Sequence, residues 1–96
     1  MKKISLSKGF SETGIDTTSN IVAMANGRPV KVANRTAMNS WKRNDKEDEV
    51  FISFAGLQKI QLRDGSIELN EGELVGIPRG VEYRSIPYGR VGLVTI

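Results

Sequence analysis

Apolar and polar positions alternate with period two over most of this chain, in short runs separated by turn residues. Residues 20–24 (NIVAM) read as a strand, Asn26-Gly27 as a two-residue hairpin turn, and residues 29–33 (PVKVA) as the returning strand. Residues 37–41 alternate more weakly and predict another short strand, and residues 44–48 (NDKED) form a charged loop. Residues 50–54 (VFISF) are apolar on both faces, which suits a strand between a barrel interior and a second covered face. Ala55-Gly56 reads as a turn, and residues 57–62 (LQKIQL) alternate again. Asp64-Gly65 turns the chain into residues 66–69 (SIEL) as a second hairpin.

The next stretch, residues 72–83 (GELVGIPRGVEY), reads as strand, corner, strand. Pro78 has no N–H to give a ladder and belongs at a strand end, and Gly80 permits the backbone angle of a sharp corner. Pro87-Tyr88-Gly89 predicts a turn into a last strand over residues 91–96. At the other end, residues 3–7 (KISLS) predict a short strand. Residues 8–19 (KGFSETGIDTTS) show no apolar repeat at three or four residues and predict an irregular loop rather than a helix. Closely spaced turn signals without a helical pattern argue for an all-β sandwich or barrel. The 96 residues form one domain, 1–96, with the N-terminal strand and loop over 1–19.

Composition narrows the chemistry. There are no cysteines, so no disulfides and no thiolate metal site. There are no histidines either, which removes the Ser-His-Asp and Cys-His arrangements and the commonest transition-metal ligand. The net charge of +3 reads as a solvated surface with extra lysine and arginine, not as a nucleic-acid or membrane footprint. No apolar run reaches the roughly 18 residues of a membrane span, and the start of the chain has no signal-peptide pattern. The expectation is a cytoplasmic protein. Met24 and Met38 read as core fillers, and Trp41 as packing at a barrel rim or dimer interface.

Two spacings resemble the cupin family. Gly72, five residues, Pro78, Arg79, Gly80, two residues and Tyr83 follow the family's second motif, except that the terminal histidine is a tyrosine and the asparagine that often follows is Pro87. Glu49, six residues and Gly56 follow the end of its first motif, whose two histidines fall on Lys42 and Asn44. The resemblance covers residues 20–96 and implies a cupin-type jelly-roll β-barrel. In the family, the four positions that are Lys42, Asn44, Glu49 and Tyr83 here hold a divalent metal. Only Glu49 is a carboxylate or imidazole here: an ammonium has no lone pair, and an amide or phenol is a poor partner for metals that favour imidazole.

The reading is therefore a metal-free cupin without a cofactor, serving as a small-molecule-binding or structural domain and forming a homodimer. Its ligand site comprises Lys42, Asn44, Glu49, Phe51 and Tyr83, with Ser53 on the same strand face. A Lys42–Glu49 ion pair in place of the metal is one expectation; Lys42 turned to solvent above a hydrated Glu49 is the other. The alternative function is a cofactor-free isomerase or epimerase, with Tyr83 as acid and Lys42 or Glu49 as base. The N-terminal strand, tethered by a loose loop, suits exchange between protomers.

Overall fold

A short helix, α1 (Leu6–Ser11), precedes six strands: β1 (Asn20–Ala25), β2 (Arg28–Arg35), β3 (Glu49–Leu62), β4 (Gly65–Leu69), β5 (Leu74–Ile77) and β6 (Tyr83–Thr95). The computed structural model describes residues 1–96. Its strands form one antiparallel sheet in the order β1-β2-β6-β3-β4. β5 pairs with the first residues of β3 and β4 with the last. The sheet curls into an all-β jelly-roll barrel around the long pair β3 and β6. No helix is long and apolar enough to cross a membrane.

Bulges bend that long pair. The register of β3 against β6 shifts twice between Ser53 and Leu57. Gly56 lies there at φ +83, and a Cβ on it would stand 2.5 Å from the Arg90 carbonyl oxygen. An unpaired residue reverses which alternate positions face inward. Phe51 and Ser53 are buried before the bulge, Gln58 and Ile60 after it. Asn26-Gly27 makes its hairpin turn where the sequence predicts; the second hairpin forms too, but its two turn residues are Arg63-Asp64, and Gly65 is already the first paired residue of β4. Ala55-Gly56 and Pro87-Tyr88-Gly89, read as turns, are instead bulged parts of continuous strands. The same residues that close a turn also supply the angles a bulge needs.

Each sheet face is covered differently. Phe51, Ile60, Leu69, Ile77, Tyr83 and Leu93 fill the barrel interior. On the opposite face of the sheet, Phe10, Val32 and Val94 form a second cluster that also packs Leu6, Val22 and Ile52. This outer layer explains the two-faced apolar pattern of residues 50–54.

The N-terminal region departs from expectation. Residues 3–7 form no strand; Ser5 caps α1 by accepting from the Lys8 N–H at 3.3 Å. A helix forms because one turn places Leu6 and Phe10 on the same side, over the apolar outer face. A single pair at that spacing is too weak a pattern to read without knowing what lies beneath. Residues 37–41 form no strand either. Their link to β6 is the Asn39 N–H to Ser85 O at 3.1 Å, beside the adjoining Lys42–Tyr83 bridge. Met24 and Met38 are exposed rather than core fillers.

Candidate functional site

The barrel opens at the end where β2, β6 and β3 lie side by side. Lys31 on β2 pairs with Thr95 on β6, and Thr95 with Phe51 on β3, so these three share one face. The next inward row is Ala33, Leu93 and Ser53. Lys31, Ala33, Phe51, Leu93 and Thr95 line a cavity of about 140 Å³, closed on other sides by Arg35, Lys42, Glu49, Tyr83 and Ser85. A broader groove of about 410 Å³ adjoins it and shares Arg35, Asn39 and Lys42.

Glu49 and Tyr83 form the cavity's central contact. The Tyr83 hydroxyl donates to Glu49 Oε1 at 2.8 Å, and its ring meets that of Phe51 edge-on at 5.1 Å. Tyr83 is only 4% exposed. Burial, and then the bond and the charge of Glu49, push its hydroxyl well above the ordinary phenol value. At neutral pH it is a fixed donor.

The corner motif and the loop before β3 hold this pair in place. The Gly80 N–H, at φ +81, donates to the Asn44 carbonyl at 2.7 Å, and the Arg79 N–H to Asp48 Oδ1 at 2.9 Å. Lys42 and Tyr83 exchange backbone bonds of 2.8 and 2.9 Å. The neighbouring Trp41 ring lies 3.7 Å from the Arg63 guanidinium and 4.7 Å from that of Arg84. On the groove side, Asp16 accepts from the Thr36 hydroxyl, the Thr36 N–H at 2.9 Å and the Ala37 N–H at 3.3 Å. The bond from the Thr36 hydroxyl, followed by that from the Thr36 backbone, lowers its carboxyl below the ordinary value.

Of the residues singled out from sequence, Lys42, Glu49, Phe51 and Tyr83 line one cavity. Asn44 is turned aside: its Oδ1 accepts the Lys46 and Glu47 N–H groups at 3.0 and 3.1 Å. It lines a smaller adjoining recess of about 90 Å³ with Lys31, Glu49 and Thr95. Ser53 is buried below the cavity, its hydroxyl donating to the Gly56 carbonyl at 2.8 Å. Lys42 is exposed and no ion pair joins it to Glu49. The expected Lys42–Glu49 pair is replaced by the neutral Tyr83 donor, because Tyr83 reaches the carboxylate from inside the barrel while Lys42 stays in water.

Sequence reasoning passed over Lys31, Arg35 and Ser85. A lysine and an arginine at alternate positions of β2 look like a solvated face; β2–β6 pairing turns that face to the cavity. Gln58 was also missed. It is buried, its Oε1 accepts from the Ser85 hydroxyl at 2.7 Å, and its Nε2 has no acceptor in the protein.

This donor set does not fit a divalent cation. Glu49 is the cavity's one carboxylate and is engaged by Tyr83, the phenol is held protonated, and the Asn44 amide oxygen is committed to two backbone donors. No group of three His, Cys, Asp or Glu side chains converges anywhere in the chain.

No family model and no curated protein matches the chain. Solved structures do. A cupin-2 domain containing protein from Shewanella frigidimarina superposes with a TM-score of 0.91 at 27% identity, covering 96% of this chain and 90% of that one. A protein from Neisseria meningitidis gives 0.89 at 20% identity, over 98% and 96% of the two chains. A hydroquinone 1,2-dioxygenase from a Sphingomonas species gives 0.61 at 15% identity, over 70% of this chain and 56% of that one.

Proposed function

We propose that this chain, which has the fold of small cupins, is a metal-free member that binds a small molecule in its barrel and works as a homodimer. The observation that carries this reading is the Tyr83–Glu49 hydrogen bond of 2.8 Å at two positions where the family places metal ligands. A donor hydroxyl now occupies the carboxylate that a cation would need. The remaining cavity is concave, polar at its mouth and apolar along Ala33, Phe51 and Leu93, the usual form of a small-ligand site.

Elemental analysis of protein purified without an affinity tag is the direct test. The expected result is far less than one equivalent of Fe, Mn, Ni or Zn after dialysis. Stoichiometric metal would overturn the metal-free reading. Binding is tested separately, by following cavity resonances of chelator-treated protein against a panel of small compounds.

A cofactor-free isomerase built on Tyr83 with Lys42 or Glu49 is the less favoured alternative. A phenol raised above its ordinary value is a reluctant acid at neutral pH. The dioxygenase among the structural neighbours shares the fold with this chain at 15% identity, and its chemistry is carried over to none of these residues.

A further inference from the structure

The positive charge at the cavity is only partly answered within the protein: the Arg35 guanidinium donates to the Thr17 carbonyl and feels the charge of Asp16. Lys31, Arg35 and Lys42 line it, and none has a carboxylate within ion-pair distance. Elsewhere on the surface Arg28, Arg43 and Arg63 do, at 2.7, 2.8 and 2.9 Å. The acidic groups that line the cavity and its adjoining groove and recess are already engaged, Glu49 by Tyr83, Asp16 by Thr36 and Ala37, and Glu47 by Arg28. Against three cations the cavity therefore sets a single, hydrogen-bonded carboxylate. Cations of one sign around a concavity with apolar walls concentrate the field there and draw in the opposite charge.

The cavity wall is polar away from these cations as well. Ser85 lines it, and behind Ser85 stands the buried amide of Gln58 with a donor that no protein atom accepts. An unanswered buried donor is costly. A half-turn of the amide would let Nε2 donate to Ser85 and free the Ser85 hydroxyl to donate into the cavity. Either way the Ser85–Gln58 pair has two donor hydrogens that the protein does not use. The volume of about 140 Å³ is close to that of an apolar cavity of about 150 Å³ that admits a benzene-sized guest.

We propose that the ligand is a compact organic anion. Its carboxylate is held by Lys31, Arg35 and Lys42, and a second acceptor oxygen reaches the Ser85–Gln58 pair. This rests on the metal-free, small-molecule-binding reading and names the class of ligand. Two-point recognition separates such an anion from inorganic phosphate, which supplies the charge but carries no second acceptor group for the Ser85–Gln58 pair.

The test is a titration of chelator-treated, isotope-labelled full-length protein with succinate, its neutral diamide succinamide, and inorganic phosphate, read by NMR. Succinate is expected to shift the Lys42, Tyr83 and Ser85 amides and the Gln58 side-chain amide. It should bind at least about tenfold tighter than succinamide, the scale of a charge-assisted hydrogen bond. Added salt should weaken it. Lys42→Gln, at an exposed position where folding is not at risk, should weaken succinate and phosphate alike. Ser85→Ala, checked for an unchanged overall spectrum, should weaken succinate but not phosphate. Succinamide binding as tightly as succinate, or Lys42→Gln leaving succinate unaffected, would overturn the anion proposal while leaving small-molecule binding intact. If no probe, charged or neutral, moves a cavity resonance and a divalent cation does, the metal-free reading fails with it.

Discussion

Tyr83 is a buried, protonated donor to Glu49. Its hydroxyl is raised because the folded state favours the protonated form. The unfolded chain releases that proton near the ordinary value of 10.0, and the folded chain only at higher pH. Its stabilising contribution is therefore complete below pH 10 and declines above it. Removing the hydroxyl in Tyr83→Phe should cost about 1–2 kcal/mol at neutral pH. Chemical denaturation across alkaline pH should then show a shallower fall for the variant than for the parent. Parallel curves would mean that Tyr83 titrates as an ordinary surface phenol. Lys42 makes the opposite case. Being exposed and outside any ion pair, it should tolerate Lys42→Met with a change below about 0.5 kcal/mol. A loss of several kcal/mol in a urea melt would restore the ion pair with Glu49 that the geometry denies.

At the scale of elements, the bulge of β3 is the most exacting feature. Gly56 combines φ +83 with a carbonyl 2.5 Å from where a Cβ would stand. Gly56→Ala should destabilise by more than about 1 kcal/mol from conformation alone, and the collision with Arg90 adds to this. The effect should reach Gln58 and Ile60, whose inward orientation depends on the extra residue. A variant with unchanged midpoint in thermal melts would show that the strand reaches its register without that angle. The loop before β3 depends instead on Trp41 and its two arginine neighbours. Trp41→Ala should cost about 1–3 kcal/mol and speed hydrogen exchange at the Asn39 and Lys42 amides, which bond to Ser85 and Tyr83. Unaltered exchange at both amides would show that the backbone bridge holds the loop without the ring.

For the whole molecule, the expected homodimer has a different basis from that suggested by the sequence. The N-terminal strand that was to be exchanged does not form; α1 packs on its own barrel instead. What favours association is β1, which has a neighbour on one side only and carries exposed Ile21 and Met24. Light scattering should give twice the mass of the 10.6 kDa chain. A charge at Met24 (Met24→Glu) should then shift the weight toward monomer, whereas a monomeric parent at tens of micromolar would end the proposal.

The sequence by itself determined most of the strands from Asn20 onward, the Asn26-Gly27 turn and the Gly72–Pro78–Gly80 corner, because these depend on residues close along the chain. The resemblance of its two motifs implied that Glu49 and Tyr83 share one site, and strand alternation added Phe51; the three line one cavity. Tertiary structure decided the rest. Leu6 and Phe10 become a helix only because an apolar sheet face lies beneath them, and residues 55–56 and 87–89 become bulges only because β3 and β6 continue past them. Lys31 and Arg35 look like surface residues until β2 is paired with β6. Which face of a strand is inside, and which donor reaches a carboxylate first, depends on partners distant in sequence. Local pattern carries no record of them.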